Sequence, residues 1–162
     1  MTPEVIKAQF DYGYWATGQI LTRADELTDD EFVSTPSSTR GLRGTLVHGL
    51  DTEWSWRLRL QGMPKEAWTA EMTPEEFPSV EVLRQRWRQD ETELRAWLDT
   101  LGEDQLTGSV DLGERSKGYP LWYYLLHILN HSAQCRADAA GFVTDLGHSP
   151  GDLDFLDWAD TR

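Results

Sequence analysis

The chain has 162 residues and sets 15 Lys and Arg against 28 Asp and Glu, giving a formal charge of −13 at pH 7. This length suits one domain, residues 1–162, with a core large enough to need neither disulfides nor a structural metal. The acidic balance excludes generic binding to a nucleic-acid backbone. The single cysteine, Cys135, excludes an intrachain disulfide and points away from a cross-linked secreted fold.

The N-terminal residues Met1-Thr2-Pro3-Glu4 carry no basic segment leading into an apolar one, and no apolar run approaches the ~18 residues of a membrane span. A cytoplasmic location, without membrane attachment, is the expectation. Thr2 as N-cap and Pro3 at the first helical position open a helix that carries Ile6, Phe10, Tyr14, Leu21 and Ala24 at helical spacings to about Leu27. Ser34 to Gly44 has loop composition. A second helix is expected from about Leu42 to Gln61, with Leu46, Leu50, Trp54 and Leu58 as its apolar stripe and Gly62 with Pro64 as its stop. Gly62 to Pro78 holds three prolines and reads as a long crossover. The third helix, Ser79 to Leu101, places Val80, Leu83, Trp87, Leu94, Trp97 and Leu101 on one seam before Gly102. Thr107 to Gly118 reads as an ordered loop or small hairpin. A fourth helix starts at Pro120 and runs to about Leu146, and Asp152 to Ala159 suits a short terminal helix. The expected fold is therefore all-α: a four-helix bundle with a long crossover and a short C-terminal helix, in which ligand sites are built from facing helices.

The fourth helix spaces His127, His131 and Cys135 four residues apart. Each step rises ~6 Å and drifts ~40° around the axis, so neighbouring members share a face. His48, in the middle of the second helix, is the one other histidine on an expected long helix. Two ligands from one helix and one from its neighbour would leave an open coordination position, as in a catalytic zinc-type site. The competing reading is structural. H-x-x-x-H without a glutamate is a weak signal, a lone cysteine often packs as a small hydrophobe, and His148, beside Gly147 and Pro150, reads as a solvent-exposed loop residue.

Phe10-Asp11-Tyr12-Gly13-Tyr14-Trp15-Ala16, Leu42-Arg43-Gly44-Thr45-Leu46-Val47-His48 with Glu53-Trp54, Tyr119-Pro120-Leu121-Trp122 leading into His127-Ile128-Leu129-Asn130-His131, and Leu146-Gly147-His148-Ser149-Pro150 through Asp154-Phe155-Leu156 together resemble the DinB/YfiT-like family of four-helix bundles. The resemblance spans nearly the whole chain. It implies a divalent metal, zinc or nickel, held by one histidine of the second helix and two histidines four apart in the last long one. Here these positions are His48, His131 and Cys135, and the usual third histidine, followed by Arg, is replaced by Cys135 before Arg136. Three outcomes follow: a His2Cys site softer than the family norm and suited to zinc, substitution by His127 with a shifted metal, or a site that no longer binds metal. Asp51, Asn130 and Gln134 are candidates to orient ligands. Arg136 reads as a surface charge, with an anchor for a substrate anion as the other reading. Trp15, Trp54, Trp56 and Trp122 lie on the helices nearest the site, as pocket wall or, for most, as core.

Related families include thiol-dependent transferases and isomerases that use bacillithiol or mycothiol. The resemblance thus implies a thiol S-transferase acting on small electrophiles, with a small-molecule substrate, a low-molecular-weight thiol and a homodimer as partners, or else a hydrolase using metal-bound water. The alternative class is a non-catalytic small-molecule-binding or stress-associated bundle that has lost the third histidine.

Overall fold

The computed structural model describes residues 1–34, 39–113 and 117–162. Among the described residues, seven α-helices follow in order: α1 (Pro3–Ala24), α2 (Asp29–Val33), α3 (Gly41–Leu60), α4 (Val80–Leu98), α5 (Glu103–Thr107), α6 (Leu121–Asp145) and α7 (Phe155–Ala159). The four long helices form a ring. The most extensive contact is α3 on α6; α1 packs on α6 and α4, and α4 closes the ring on α3. The expected four-helix bundle is present, and no helix is long and apolar enough to cross a membrane.

Local signals set the helix ends. The Thr2 hydroxyl accepts the Val5 N–H with Pro3 at the first position of α1, and Ser79 accepts the Val82 N–H at the start of α4, which satisfies donors the helix itself leaves free. After α3 the chain turns through Gly62 at φ +75°, with Met63 N–H bonded to Leu58 O. After α6 it turns through Gly147 at φ +91°, with His148 N–H bonded to Val143 O. Both are left-handed closures that favour glycine.

Four short elements depart from the sequence expectation. α1 stops at Ala24, and α2 follows on the reciprocal Thr28–Glu31 capping box. α5 precedes the segment expected as an ordered loop or small hairpin, where the described residues form one isolated bridge, Ser109–Pro120. The long crossover contains two single turns of 3-10 helix, Lys65–Ala67 and Pro74–Glu76. Of the loop expected between Ser34 and Gly44, residues 35–38 lie outside the described residues, and α3 already begins at Gly41.

The core is formed by Ile6, Phe10 and Ile20 of α1, Leu42, Leu46 and Leu50 of α3, Leu83, Trp87 and Leu94 of α4, and Leu125 and Ile128 of α6. The stripe expected on the second helix is out of phase in its second half. Trp54 and Leu58 are only half-buried, and the inward positions that continue Leu46 and Leu50 are Glu53 and Arg57. On α4 the seam likewise runs through Asp90 and ends at Leu98, with Trp97 half-buried. A buried polar layer therefore crosses the lower core.

Candidate metal centre

The α3–α6 contact is close because of Gly49. A Cβ there would lie 3.3 Å from Cys135 Cβ and 3.7 Å from both Cys135 Sγ and Trp87 Cη2. A glycine inside a helix costs about 1 kcal/mol relative to alanine; here the missing side chain admits Cys135 and the end of the Trp87 ring. One residue earlier, His48 projects toward α6. His131 Nε2 lies 3.1 Å from His48 Nε2, and Cys135 Sγ lies 3.7 Å from His131 Nδ1. One donor atom from each of His48, His131 and Cys135 lies within 4.8 Å of the others.

This donor set fits one soft or borderline divalent ion. Metal–ligand distances of about 2.0–2.3 Å put tetrahedral ligand pairs about 3.3–3.8 Å apart. The histidine nitrogens are already near that spacing, and the widest pair needs Cys135 to approach by only about 1 Å. Burial lowers the pKa of His48, with Arg40 adding to the effect; burial also lowers that of His131, followed by its neighbours His48 and His127. Both rings are thus neutral near pH 7, the form that donates a lone pair to a metal. Burial and then Asp138 push the Cys135 thiol up, so a thiolate here needs a cation beside it.

A cleft of about 440 Å³ opens at His48, lined by Arg40, Asp51, Glu71 and Met72 among others. Asp51 and Glu71 also line an adjoining hollow of about 260 Å³ walled by Trp56 and Trp68. Between those two rings sits the Arg59 guanidinium, 5.0 and 5.1 Å from their centroids. Arg40 is exposed at the cap of α3, and its charge acts on all three donors.

The remaining sequence candidates are placed as follows. His127 is exposed and stands edge-on to Trp56 at 5.2 Å, outside the donor cluster. Asp51 does not orient His48: its Oδ1 accepts the Met72 N–H at 2.9 Å and so fixes the crossover against α3. Asn130 donates to Leu126 O, and Gln134 is exposed. Of the four tryptophans, Trp56 alone lines a hollow beside the site; Trp54 lies under Arg86, Trp122 packs on Tyr123 and Trp15 lies beside Tyr12. His148 is only half-exposed and pairs with Glu26 at 2.7 Å. Arg136 is 9% exposed rather than a surface charge.

Sequence reasoning missed the layer beneath the cluster. Ser132, next to His131, donates to Glu53 Oε1 at 2.8 Å, and burial raises the Glu53 carboxyl to about 7. One turn on, Arg57 binds Asp90 at 2.5 Å and Glu93 at 2.6 Å, with Arg57 and Asp90 both buried. The signal was available: Leu46, Leu50, Glu53 and Arg57 continue one helical stripe.

A helical bundle whose two closest helices bring two imidazoles and a thiol together defines a candidate metal-binding protein. The chain belongs to the DinB family, whose model matches residues 4–162. A comparison with curated proteins gives no match.

Proposed function

We propose that this DinB-family protein is a divalent-metal enzyme using His48, His131 and Cys135 as ligands, and that it transfers a low-molecular-weight thiol to a small electrophile. The observation that carries the reading is the convergence of three donors from two helices, one of which, His48, lines an open cleft. Three protein ligands leave a position for an exogenous one, and a divalent ion so bound supplies Lewis acidity that favours the ionised form of a coordinated thiol or water. The Cys135 sulfur suits zinc or nickel better than a hard cation, and it donates more charge than a third imidazole would.

The chain's own residues do the positioning. Neutral His48 and His131 present nitrogen lone pairs, and Gly49 lets Cys135 approach them. Asp51 holds the crossover as the cleft wall through Met72. Arg40 places a positive charge at the mouth, suited to an anionic co-substrate. In the transfer the thiol sulfur forms a bond to the electrophilic carbon, the leaving group departs with its electron pair, and the thiol proton passes to solvent.

The test is metal loading followed by assay. Protein reconstituted with zinc or nickel should join a low-molecular-weight thiol to an activated aryl halide and release halide, and His48→Ala should do neither above background. Stoichiometric metal without turnover across thiols and electrophiles would instead support the second reading, a non-catalytic bundle that binds a small molecule. That reading is favoured by the replacement of the family's third histidine with Cys135. A cytoplasmic location and a homodimer complete the proposal; sedimentation checks the dimer.

A further inference from the structure

Arg136 lies on a different side of α6 from the donor cluster, because adjacent helical residues point about 100° apart. It is over nine-tenths buried and forms no hydrogen bond or ion pair with any described residue. Its guanidinium lies 5.7 Å over the Tyr12 ring, which is pinned by the Tyr12 hydroxyl donating to Leu153 O at 2.7 Å. A Cβ at Gly13 would come within 3.1 Å of Nη1. Glycine in the middle of α1 sacrifices helix propensity, and the space it leaves is filled by this guanidinium. Glu53 is the carboxylate whose charge acts most on Arg136, but its Oε2 has no hydrogen-bond partner and it makes no ion pair with Arg136. A guanidinium stays charged in proteins, and the Arg136 nitrogens, which are not among the fully buried unpartnered polar atoms, meet solvent at the crevice that the residue lines.

The same residue lines a crevice of about 250 Å³ between α1 and α6, together with Val5, Gln9, Leu126, Leu129 and Ala133. None of the donor residues takes part. The lining joins the Arg136 guanidinium and the amides of Gln9 and Asn130 at its polar edge to an apolar trough of Val5, Leu126, Leu129 and Ala133, a surface that suits an acid group carrying an apolar body better than a bare inorganic anion. A cavity of about 150 Å³ holds benzene, so this crevice accommodates one ring, or a short alkyl chain, with its acid group.

We propose that the α1/α6 crevice binds a small amphipathic monocarboxylate, its carboxylate paired with Arg136 and its apolar body lying on Val5, Leu126, Leu129 and Ala133. The site is independent of the metal reading. Calorimetric titration of the full chain with sodium benzoate tests it, with benzyl alcohol as the neutral analogue and inorganic phosphate as the anion without a body. Saturable one-to-one binding of benzoate is expected, with both comparison ligands at least tenfold weaker. Arg136→Gln should weaken benzoate at least tenfold. Ala133→Trp should do the same by filling the trough from an exposed position, and it decides the matter if circular dichroism shows the arginine variant unfolded. His48→Ala should bind benzoate like the wild type. Absence of saturation, equal binding of benzyl alcohol or phosphate, wild-type affinity in Ala133→Trp, or loss in His48→Ala would each overturn the proposal; the last would place the carboxylate at the metal cluster instead.

Discussion

Neighbouring residues of α6 serve two opposite kinds of polar arrangement. His131 and Cys135 join His48 in a half-buried cluster of neutral donors, while Ser132 faces a buried layer containing Glu53, Arg57 and Asp90. In the layer, opposite charges are matched inside the protein, and the pairing holds α3 to α4. In the cluster, neutral donors crowd together, an arrangement that a cation from outside would complete. Removing a member of the layer should damage folding and leave the donors chemically intact; removing a donor should do the reverse.

The sharpest break of that comparison is Asp90→Ala, which leaves Arg57 buried without its main partner. Removing one member of a buried pair costs about 3–5 kcal/mol, so urea unfolding should shift by that order. A change comparable to that of an exposed ion pair, under about 1 kcal/mol, would contradict the assignment.

Glu53→Gln is expected next in size, and it has a pH signature. The Glu53 carboxyl is raised from 4.5 to about 7 by burial, so the folded state holds this proton more tightly than the unfolded chain. The associated stability is fully present below pH 4.5 and is lost as pH rises through about 7. The difference corresponds to roughly 3 kcal/mol. Glutamine retains an acceptor for Ser132 but does not titrate, so wild-type stability measured relative to this variant should fall by that order between pH 4.5 and pH 8. A flat difference would show that Glu53 is not desolvated.

The smallest effect on stability, and the one that sharpens the comparison most, is Gly49→Ala. Better helix propensity, about 1 kcal/mol, opposes overpacking against Cys135, about 1–3 kcal/mol. Net stability should move by only about 1 kcal/mol, while zinc affinity, read by competition with a chromogenic chelator, falls severalfold as Cys135 is pushed aside. Equal affinity in the two proteins would mean that Cys135 needs no such close approach.

The four long helices were legible because their apolar residues recur at helical spacing and their ends carry Thr2-Pro3, Ser79, Gly62 and Gly147. Of the short helices, α7 was read within Asp152–Ala159, whereas α2 and α5, at five residues, carried no signal that set them apart from their neighbours. His48, His131 and Cys135 were named from spacing and family likeness, and the packing of α3 on α6 brings them together. The charged layer was hidden because an apolar stripe was continued through Trp54 and Leu58, though the helical phase leads from Leu50 to Glu53 and Arg57. Arg136 was misread for a related reason. Its burial depends on the absent side chain of Gly13 on another helix, which no pattern within α6 records.

The central claim is that the three donors bind one metal, and elemental analysis of untagged protein after incubation with zinc or nickel and desalting tests it directly. The wild type should retain close to one ion per chain, and His48→Ala and Cys135→Ser should retain little while melting close to the wild-type apoprotein. No bound metal in the wild type, or full retention in both variants, would contradict the assignment of the cluster as a metal centre.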